Sequence, residues 1–164
     1  KWSVAMIKYL DMFSGIGGFR SALDKVGGFE CVAYCEIDKY AKKAYEAMYD
    51  TKGEMYFNDA REIKPEELPD IDLICGGFPC QSFSNAGKRR GFEDARGTLF
   101  FEIARIAAVK KPKYLLLENV PGLLSHDSGR TFATILGTLD ELGYDVAWQV
   151  YPKGTSFGRQ QRRF

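Results

Sequence analysis

The sequence predicts an α/β fold with a doubly wound, mostly parallel sheet, and three observations carry that expectation. Short apolar runs alternate with segments of helical periodicity, glycines punctuate the joints, and the chemically unusual residues fall where strands end. Sheets of this kind keep their sites in the crevice outside the carboxyl ends of the strands. The alternation implies right-handed crossovers between parallel neighbours.

Taken in order, residues 7–13 read as a first strand running into the glycines at 15–18, after which Phe19, Ala22, Leu23 and Val26 recur at helical intervals. Residues 29–34 are again strand-like. Asp38 can cap a following helix whose inner face would carry Tyr40, Ala41, Ala44, Tyr45 and Met48. Residues 55–57 suggest a weak third strand, 65–69 a connector, and 71–75 a fourth strand stopped by Gly76 and Gly77. Residues 78–96 lack periodicity. A helix over 97–109 places Leu99, Phe100, Ile103, Ile106 and Ala107 inward, and residues 114–117 are apolar on both faces, as in the middle of a parallel sheet. A helix over 131–142 ended by Gly143 and a sixth strand over 146–150 follow.

The 164 residues, 45% hydrophobic, suffice for the core of one domain, so residues 1–164 are expected to form one domain or one lobe of a larger protein. Lys+Arg at 23 against Asp+Glu at 22 leaves a net charge of +1, so a nucleic-acid partner must be met by a local basic patch. No stretch approaches the ~20 apolar residues of a membrane span and no secretion signal opens the chain. An intracellular protein, cytoplasmic or nuclear in a eukaryote, without a membrane partner is expected. The four cysteines are too few for a disulfide scaffold. Neither Cys31 with Cys35 nor Cys75 with Cys80 has zinc-knuckle spacing, and His126 is the only histidine, so no metal is expected.

At the first strand-to-helix turn, FSGIGGF (residues 13–19) offers glycines that let backbone approach a ligand, although its spacing is not GxGxxG; a bare turn needing positive φ would use glycine too. Glu36, about 20 residues on at the end of the second strand, stands where an acid can accept from both ribose hydroxyls. The two together favour an adenosine-containing cofactor. Asp59, at the end of the third strand, could accept from an adenine amino group, or cap a helix. In GGFPCQSFS (residues 76–84), Cys80 opens the aperiodic stretch and is either a small buried hydrophobe or a thiol whose pKa is lowered by the cations Lys88, Arg89, Arg90 and Arg96. Cys31, Cys35 and Cys75 read as small buried hydrophobes. LLLENVPGLL (residues 115–124) puts Glu118 and Asn119 where a buried strand emerges toward the same crevice. A partly desolvated carboxyl there favours its protonated form and could donate to a ring nitrogen, the alternative being an acid that caps the strand end. His126 reads as a surface histidine. The basic GRQQRRF, with Arg159, Arg162 and Arg163, is a solvated end or, with the cations at 88–90, one bank of a phosphate-binding groove.

In this order, DMFSGIGGF, CEIDKY, FNDARE, GGFPCQSFS with AGKRRGFEDARGTLFFE, LLLENVPGLL and GRQQRRF resemble the DNA cytosine-C5 methyltransferases over residues 9–164. The resemblance implies a Rossmann-like fold with S-adenosylmethionine over the glycine turn, leaving as S-adenosylhomocysteine. Phe13, Gly15, Gly17 and Pro79 would border it, Glu36 would hold its ribose, Ile37 would pack on the adenine, and Asp59 with Ala60 would meet the adenine edge. Cys80 would be the thiolate that adds to cytosine C6, Glu118 would hold N3 and the amino group, Asn119 would fix the loop, and Arg163 would contact the site from the opposite side. Gln81, Ser82, Ser84, Lys88, Arg89, Arg90, Arg96 and Gln161 would contact double-stranded DNA around a flipped base, with residues 82–96 as a lid.

The family continues beyond the Gln-x-Arg-x-Arg motif into a target-recognition segment and a final helix. Here the last arginine would fall after Phe164, and Pro152-Lys153-Gly154 stands where an Asn-containing run belongs. A split enzyme completed by a second subunit, a fragment, and a longer protein are the expected explanations, each with weak sequence-specific binding by this chain alone. The context implied is restriction-modification or phage self-protection. Alternatives are the tRNA-directed branch of the family, a non-catalytic cofactor- or partner-binding subunit, and an NAD-dependent oxidoreductase, the last disfavoured by the absent GxGxxG.

Overall fold

The computed structural model describes residues 5–79 and 99–151, with the backbone of a short strand at Arg162–Arg163. It divides into two compact units, Lys1–Gly77 with Val109–Leu116 and Phe78–Ala108 with Leu117–Phe164.

The first unit runs β1 (Ile7–Met12), α1 (Gly18–Val26), β2 (Phe29–Cys35), α2 (Lys39–Met48), β3 (Met55–Phe57), two 3-10 turns at Ala60–Glu62 and Pro65–Glu67, β4 (Leu73–Gly77), and the start of β5 (Tyr114–Glu118). Its strand order is β3-β2-β1-β4-β5. β1 pairs in parallel with β2 and β4, and β2 with β3, as the alternating pattern predicts. The chain steps outward from β1 through β2 to β3, then returns to place β4 on the other flank. The β1/β4 pair is therefore the switch point at which such sheets bind ligands. Tyr9, Leu23, Leu73 and Cys75 form a buried cluster with Ile7, Phe19, Phe29, Cys31 and Leu116 packed on it. The helical spacing of Phe19 and Leu23 is what turns α1 onto the strands.

Three details differ from the sequence pattern. In α2 only Tyr45 is buried, whereas Tyr40 is 72% and Met48 53% exposed. Tyr40 lies five residues before Tyr45, about 140° away around a 3.6-residue helix, and so points outward. β4 starts and ends two residues later than expected, with Gly76 and Gly77 inside it and Gly76 paired to Met12. Asp72 explains the late start. Its carboxylate accepts from Lys8 N at 2.9 Å and its own amide donates to Lys8 O at 2.8 Å, so this residue ties into β1 before the ladder begins. β5 is less covered than a central strand, with Leu117 buried but Tyr114 50% exposed.

The second unit holds most of α3 (Leu99–Lys110), the end of β5, α4 (Arg130–Glu141), β6 (Gln149–Val150) and β7 (Arg162–Arg163). Phe100, Ile103, Ile106 and Ala107 of α3 are buried as their spacing requires, and Leu99 is half-buried. Gly143 ends the α4 segment at φ 86°, its amide on Asp140 O at 2.8 Å. The sixth strand covers residues 149–150, where Gln149 and Val150 pair with Arg163 and Arg162 of β7. β7 pairs antiparallel with both β5 and β6. The expectation of a mostly parallel α/β sheet holds, with the antiparallel pairs confined to these strands. No described helix is long and apolar enough to cross a membrane.

Candidate cofactor turn and strand-end site

At the carboxyl end of β1 the backbone turns through Phe13 (φ 54°), Gly15 (φ 55°) and Gly17 (φ 89°), all in the left-handed region. Phe13 is not a glycine, and its conformation costs on the order of 1 kcal/mol. The turn is tied down by Ser14 N on Cys35 O at 3.0 Å and Gly17 N on Ser14 O at 2.8 Å. Gly15 N donates to Glu36 Oε2 at 2.7 Å, while Glu36 Oε1 accepts from Asp38 N at 2.8 Å. A carboxylate has about four acceptor positions, so two backbone amides fix Glu36 and leave it able to accept from two hydroxyls. Asp38 in turn caps α2, its Oδ1 accepting from Tyr40 N and Ala41 N, both at 2.8 Å.

Other groups here fit an adenosine-containing ligand. Ser14 Oγ is buried with no hydrogen-bond partner among the described residues, an atom that calls for an acceptor or donor. A Cβ built on Gly15 would meet nothing within 4 Å, so this part of the turn is open. Ile37 is 63% exposed, an apolar surface beside the Glu36 carboxylate. Asp59 takes a capping role, with Oδ1 accepting from Arg61 N at 3.0 Å and Oδ2 from Arg61 Nη2 at 2.6 Å. That guanidinium holds the Asp59 carboxyl below the usual carboxylate range. Ala60 is buried, so its methyl belongs to the core of this unit.

Beneath the turn lies a charged network that sequence reasoning missed. Arg20 donates to both Glu54 oxygens at 2.7 and 2.8 Å, to Asp50 O at 2.9 Å and to Tyr45 Oη at 3.2 Å. Tyr45 Oη donates to Asp11 Oδ2 at 3.0 Å. Asp11 is fully buried, its Oδ1 has no partner among the described residues, and burial pushes its carboxyl up to about 7. The signal was present: Asp11 interrupts the apolar run of the first strand, and Arg20 follows directly on a core position of α1. A cavity of about 840 Å³ opens at the amino ends of these strands, lined by Met6, Phe29 and Met55 and by Arg20 and Glu54 of the same network.

In the second unit, Asn119 is buried at the carboxyl end of β5. Its Nδ2 donates to Phe78 O at 2.6 Å and its Oδ1 accepts from Val120 N at 2.9 Å. Phe78 is itself fixed by burial and by a tilted contact with Phe100 at 5.4 Å between centroids. Asn119 thus anchors the chain two residues before Cys80. Pro79 is exposed and Glu118 half-buried. Arg163 is the backbone partner of Glu118 in the β5–β7 register. Cys80, Gln81, Ser82, Ser84, Lys88, Arg89, Arg90, Arg96 and Gln161 lie outside the described residues, as does the expected lid. His126, in a turn before α4, is half-buried with Nδ1 2.7 Å from Thr131 Oγ1.

The other cysteines behave as small hydrophobes. Cys35 and Cys75 are buried and Cys31 half-buried. Burial pushes the thiols of Cys31 and Cys35 up to about 12, which keeps them protonated and unreactive at neutral pH. No group of metal-binding side chains occurs among the described residues.

The profile of the C-5 cytosine-specific DNA methylases matches residues 7–164. Among curated proteins, the chain is 49% identical over 159 residues to the type II methyltransferase M1.ScrFI of Lactococcus lactis subsp. cremoris, covering 97% of this chain and 40% of that protein. It is 51% identical to the type II methyltransferase M.NgoBI of Neisseria gonorrhoeae, covering 96% and 48%, and 45% identical to M.HhaI of Haemophilus parahaemolyticus, covering 96% and 46%. The chain thus spans less than half the length of these relatives. Among solved structures, a variant of Spodoptera frugiperda DNMT2 superposes with a TM-score of 0.67 at 25% identity, covering 87% of this chain and 42% of that one. The S. pombe Dnmt2 methyltransferase gives 0.68 at 21%, covering 96% and 48%, a likeness of fold.

Proposed function

Because the chain belongs to the C-5 cytosine-specific DNA methylase family, we propose that it is the S-adenosylmethionine-binding, nucleophile-bearing part of an enzyme that methylates C5 of cytosine in double-stranded DNA. Both units are then parts of one catalytic domain. The observation that carries this reading is the Asn119 bridge to Phe78, which brings the chain entering Pro79-Cys80 to the end of the strand bearing Glu118.

Cytosine C5 is a weak nucleophile within its aromatic ring. Addition of the Cys80 thiolate to C6 breaks the ring conjugation and makes C5 electron-rich. Glu118 holds N3 and the amino group as charge develops, and Asn119 keeps the cysteine loop in place. Removal of the C5 proton after substitution then expels the thiolate and restores the ring. Arg163, through the backbone register with Glu118, flanks the same strand end. When bound, S-adenosylmethionine supplies an electrophilic methyl on a sulfonium. In the first unit, Glu36 accepts the ribose hydroxyls, Gly15 and Gly17 border the ligand with Phe13, and Ile37 lies on the adenine. Asp59 meets the adenine amino group in place of one Arg61 donor, an exchange open to it because the Arg61 side chain is 66% exposed. The family resemblance assigns Pro79 to the methionine end.

The target base must leave the duplex, at a cost of a few kcal/mol, and residues 81–96 with Gln161 supply the DNA contacts. Recognition of a particular sequence falls to further chain or to a second subunit, in a restriction-modification or phage setting like that of the type II relatives. The test is transfer of labelled methyl from S-adenosylmethionine by the full-length protein into DNA and, separately, tRNA, with digestion to nucleosides. Label in 5-methyldeoxycytidine supports the reading. Label confined to tRNA transfers it to the RNA-directed branch, and no label with cofactor bound makes the chain a binding subunit.

A further inference from the structure

We propose that Tyr49 is a positioning residue for the cofactor turn, a wedge that fits only because residue 17 is glycine; the inference rests on the cofactor reading above. Tyr49 is the residue at which α2 ends, its amide still on Tyr45 O at 3.0 Å while its own backbone is extended (φ −127°, ψ 146°). That departure sends its ring under the turn. Tyr49 Oη donates to Gly17 O at 3.0 Å. The ring fills the space that a side chain at Gly17 would need, since a Cβ there would stand 2.8 Å from both Cζ and Oη of Tyr49. Such an approach is closer than real carbon contacts allow, so the tyrosine and the glycine are complementary shapes.

The wedge is itself held rigidly. The Arg20 guanidinium lies 4.8 Å from the centroid of the Tyr49 ring, and Tyr45 packs on it at 5.0 Å. Arg20 is pinned in turn by Glu54 and by Asp50 O. On the turn side, Gly17 O also accepts the first α1 bond from Ser21 N at 2.9 Å, and Gly17 N donates to Ser14 O. The residue is therefore fixed at its amide, its carbonyl and its missing Cβ.

Two residues upstream, the amide of Gly15 reaches Glu36, which is fixed through Asp38 to the start of α2. One helix thus sets both halves of the site, the ribose acceptor at its beginning and the glycine turn at its end. Tyr49 need not touch the ligand to do this. It sets where the Gly15 amide and Ser14 point relative to the Glu36 carboxylate.

The test is a cycle in the full-length protein of Tyr49→Phe, Tyr49→Ala, Gly17→Ala and the double variant Gly17→Ala/Tyr49→Ala. S-adenosylmethionine affinity is read by calorimetry, KM and kcat by methyl transfer, and folding by thermal melting. Tyr49→Phe keeps the ring and loses one hydrogen bond, so affinity should fall about 3- to 10-fold, in KM for S-adenosylmethionine and not in kcat. Gly17→Ala should be the most damaging single change, and trimming Tyr49 should restore part of its binding. A double variant no better than Gly17→Ala alone, or Tyr49 variants that lower the melting temperature with cofactor affinity unchanged, would overturn the wedge. A wild-type protein that does not bind S-adenosylmethionine overturns the cofactor reading as well, so the two failures are distinguishable.

Discussion

At the carboxyl end of β1 the chain is shaped by backbone, three residues at positive φ with the amides of Ser14, Gly15 and Gly17 bonded to Cys35 O, Glu36 and Ser14 O, whereas at the end of β5 it is held by the buried side chain of Asn119. The support differs in kind as well. The β1 turn rests on the charged network of Arg20, Glu54, Tyr45 and Asp11, while the Asn119 amide joins the β5 end to Phe78. The contrast matches the tasks proposed for them. A cofactor that is bound and released is served by a fixed turn and the carboxylate it holds, and a cytosine attacked covalently is served by side chains that bond to the base as charge develops.

The largest effect expected from breaking this contrast is at Asn119. Asn119→Ala orphans the Phe78 carbonyl and the Val120 amide, costing about 1–3 kcal/mol of stability. A displaced cysteine loop should also lose on the order of 100-fold in kcat, with S-adenosylmethionine affinity held. Equal losses in kcat and cofactor affinity would mean that the two ends are not separable in function.

Next in size is Glu36→Ala, which removes the acceptor of the Gly15 and Asp38 amides and, in the proposed site, of the ribose hydroxyls. Charge-assisted bonds of this kind contribute roughly 1.5–3 kcal/mol, so calorimetry should show S-adenosylmethionine binding weakened about 10- to 100-fold. Unchanged affinity would move the ribose contact elsewhere.

The last is a pH dependence of stability. Burial raises the folded-state pKa of Asp11 to about 7 from an ordinary value near 4, so between these limits the folded protein binds the extra proton. Its contribution to stability is complete below pH ~4 and is lost as pH rises through ~7, with a slope of at most about 1.4 kcal/mol per unit. Asp11→Asn, which keeps an acceptor for Tyr45, should flatten this fall in urea titrations at several pH values. A parallel profile for the two proteins would remove Asp11 as its source.

Much of the first unit was legible because its causes are local. Asp38 caps the helix that follows it, the glycines sit at the turn, and Glu36 ends the second strand; each is readable within a few residues. The Arg20 network was not, because Arg20 meets Glu54 across 34 residues of sequence and only the parallel pairing of β1, β2 and β3 brings them together. Tyr49 was hidden for the same reason, as its partner Gly17 is 32 residues away. The two-residue β7 has no apolar alternation to announce it. Asn119 was assigned to the cysteine loop from motif resemblance alone, because its bond to Phe78 spans 41 residues of sequence.

The central claim, a nucleophile delivered to cytosine C6 from the chain anchored by Asn119, is tested most directly with DNA carrying 5-fluorocytosine at the target position. Fluorine at C5 cannot leave as a proton does, so the full-length protein with S-adenosylmethionine should form a denaturation-resistant adduct, mapped to Cys80 by mass spectrometry and absent in Cys80→Ala. No adduct from the intact protein on substrate it methylates, or an adduct that persists in Cys80→Ala, would contradict the account.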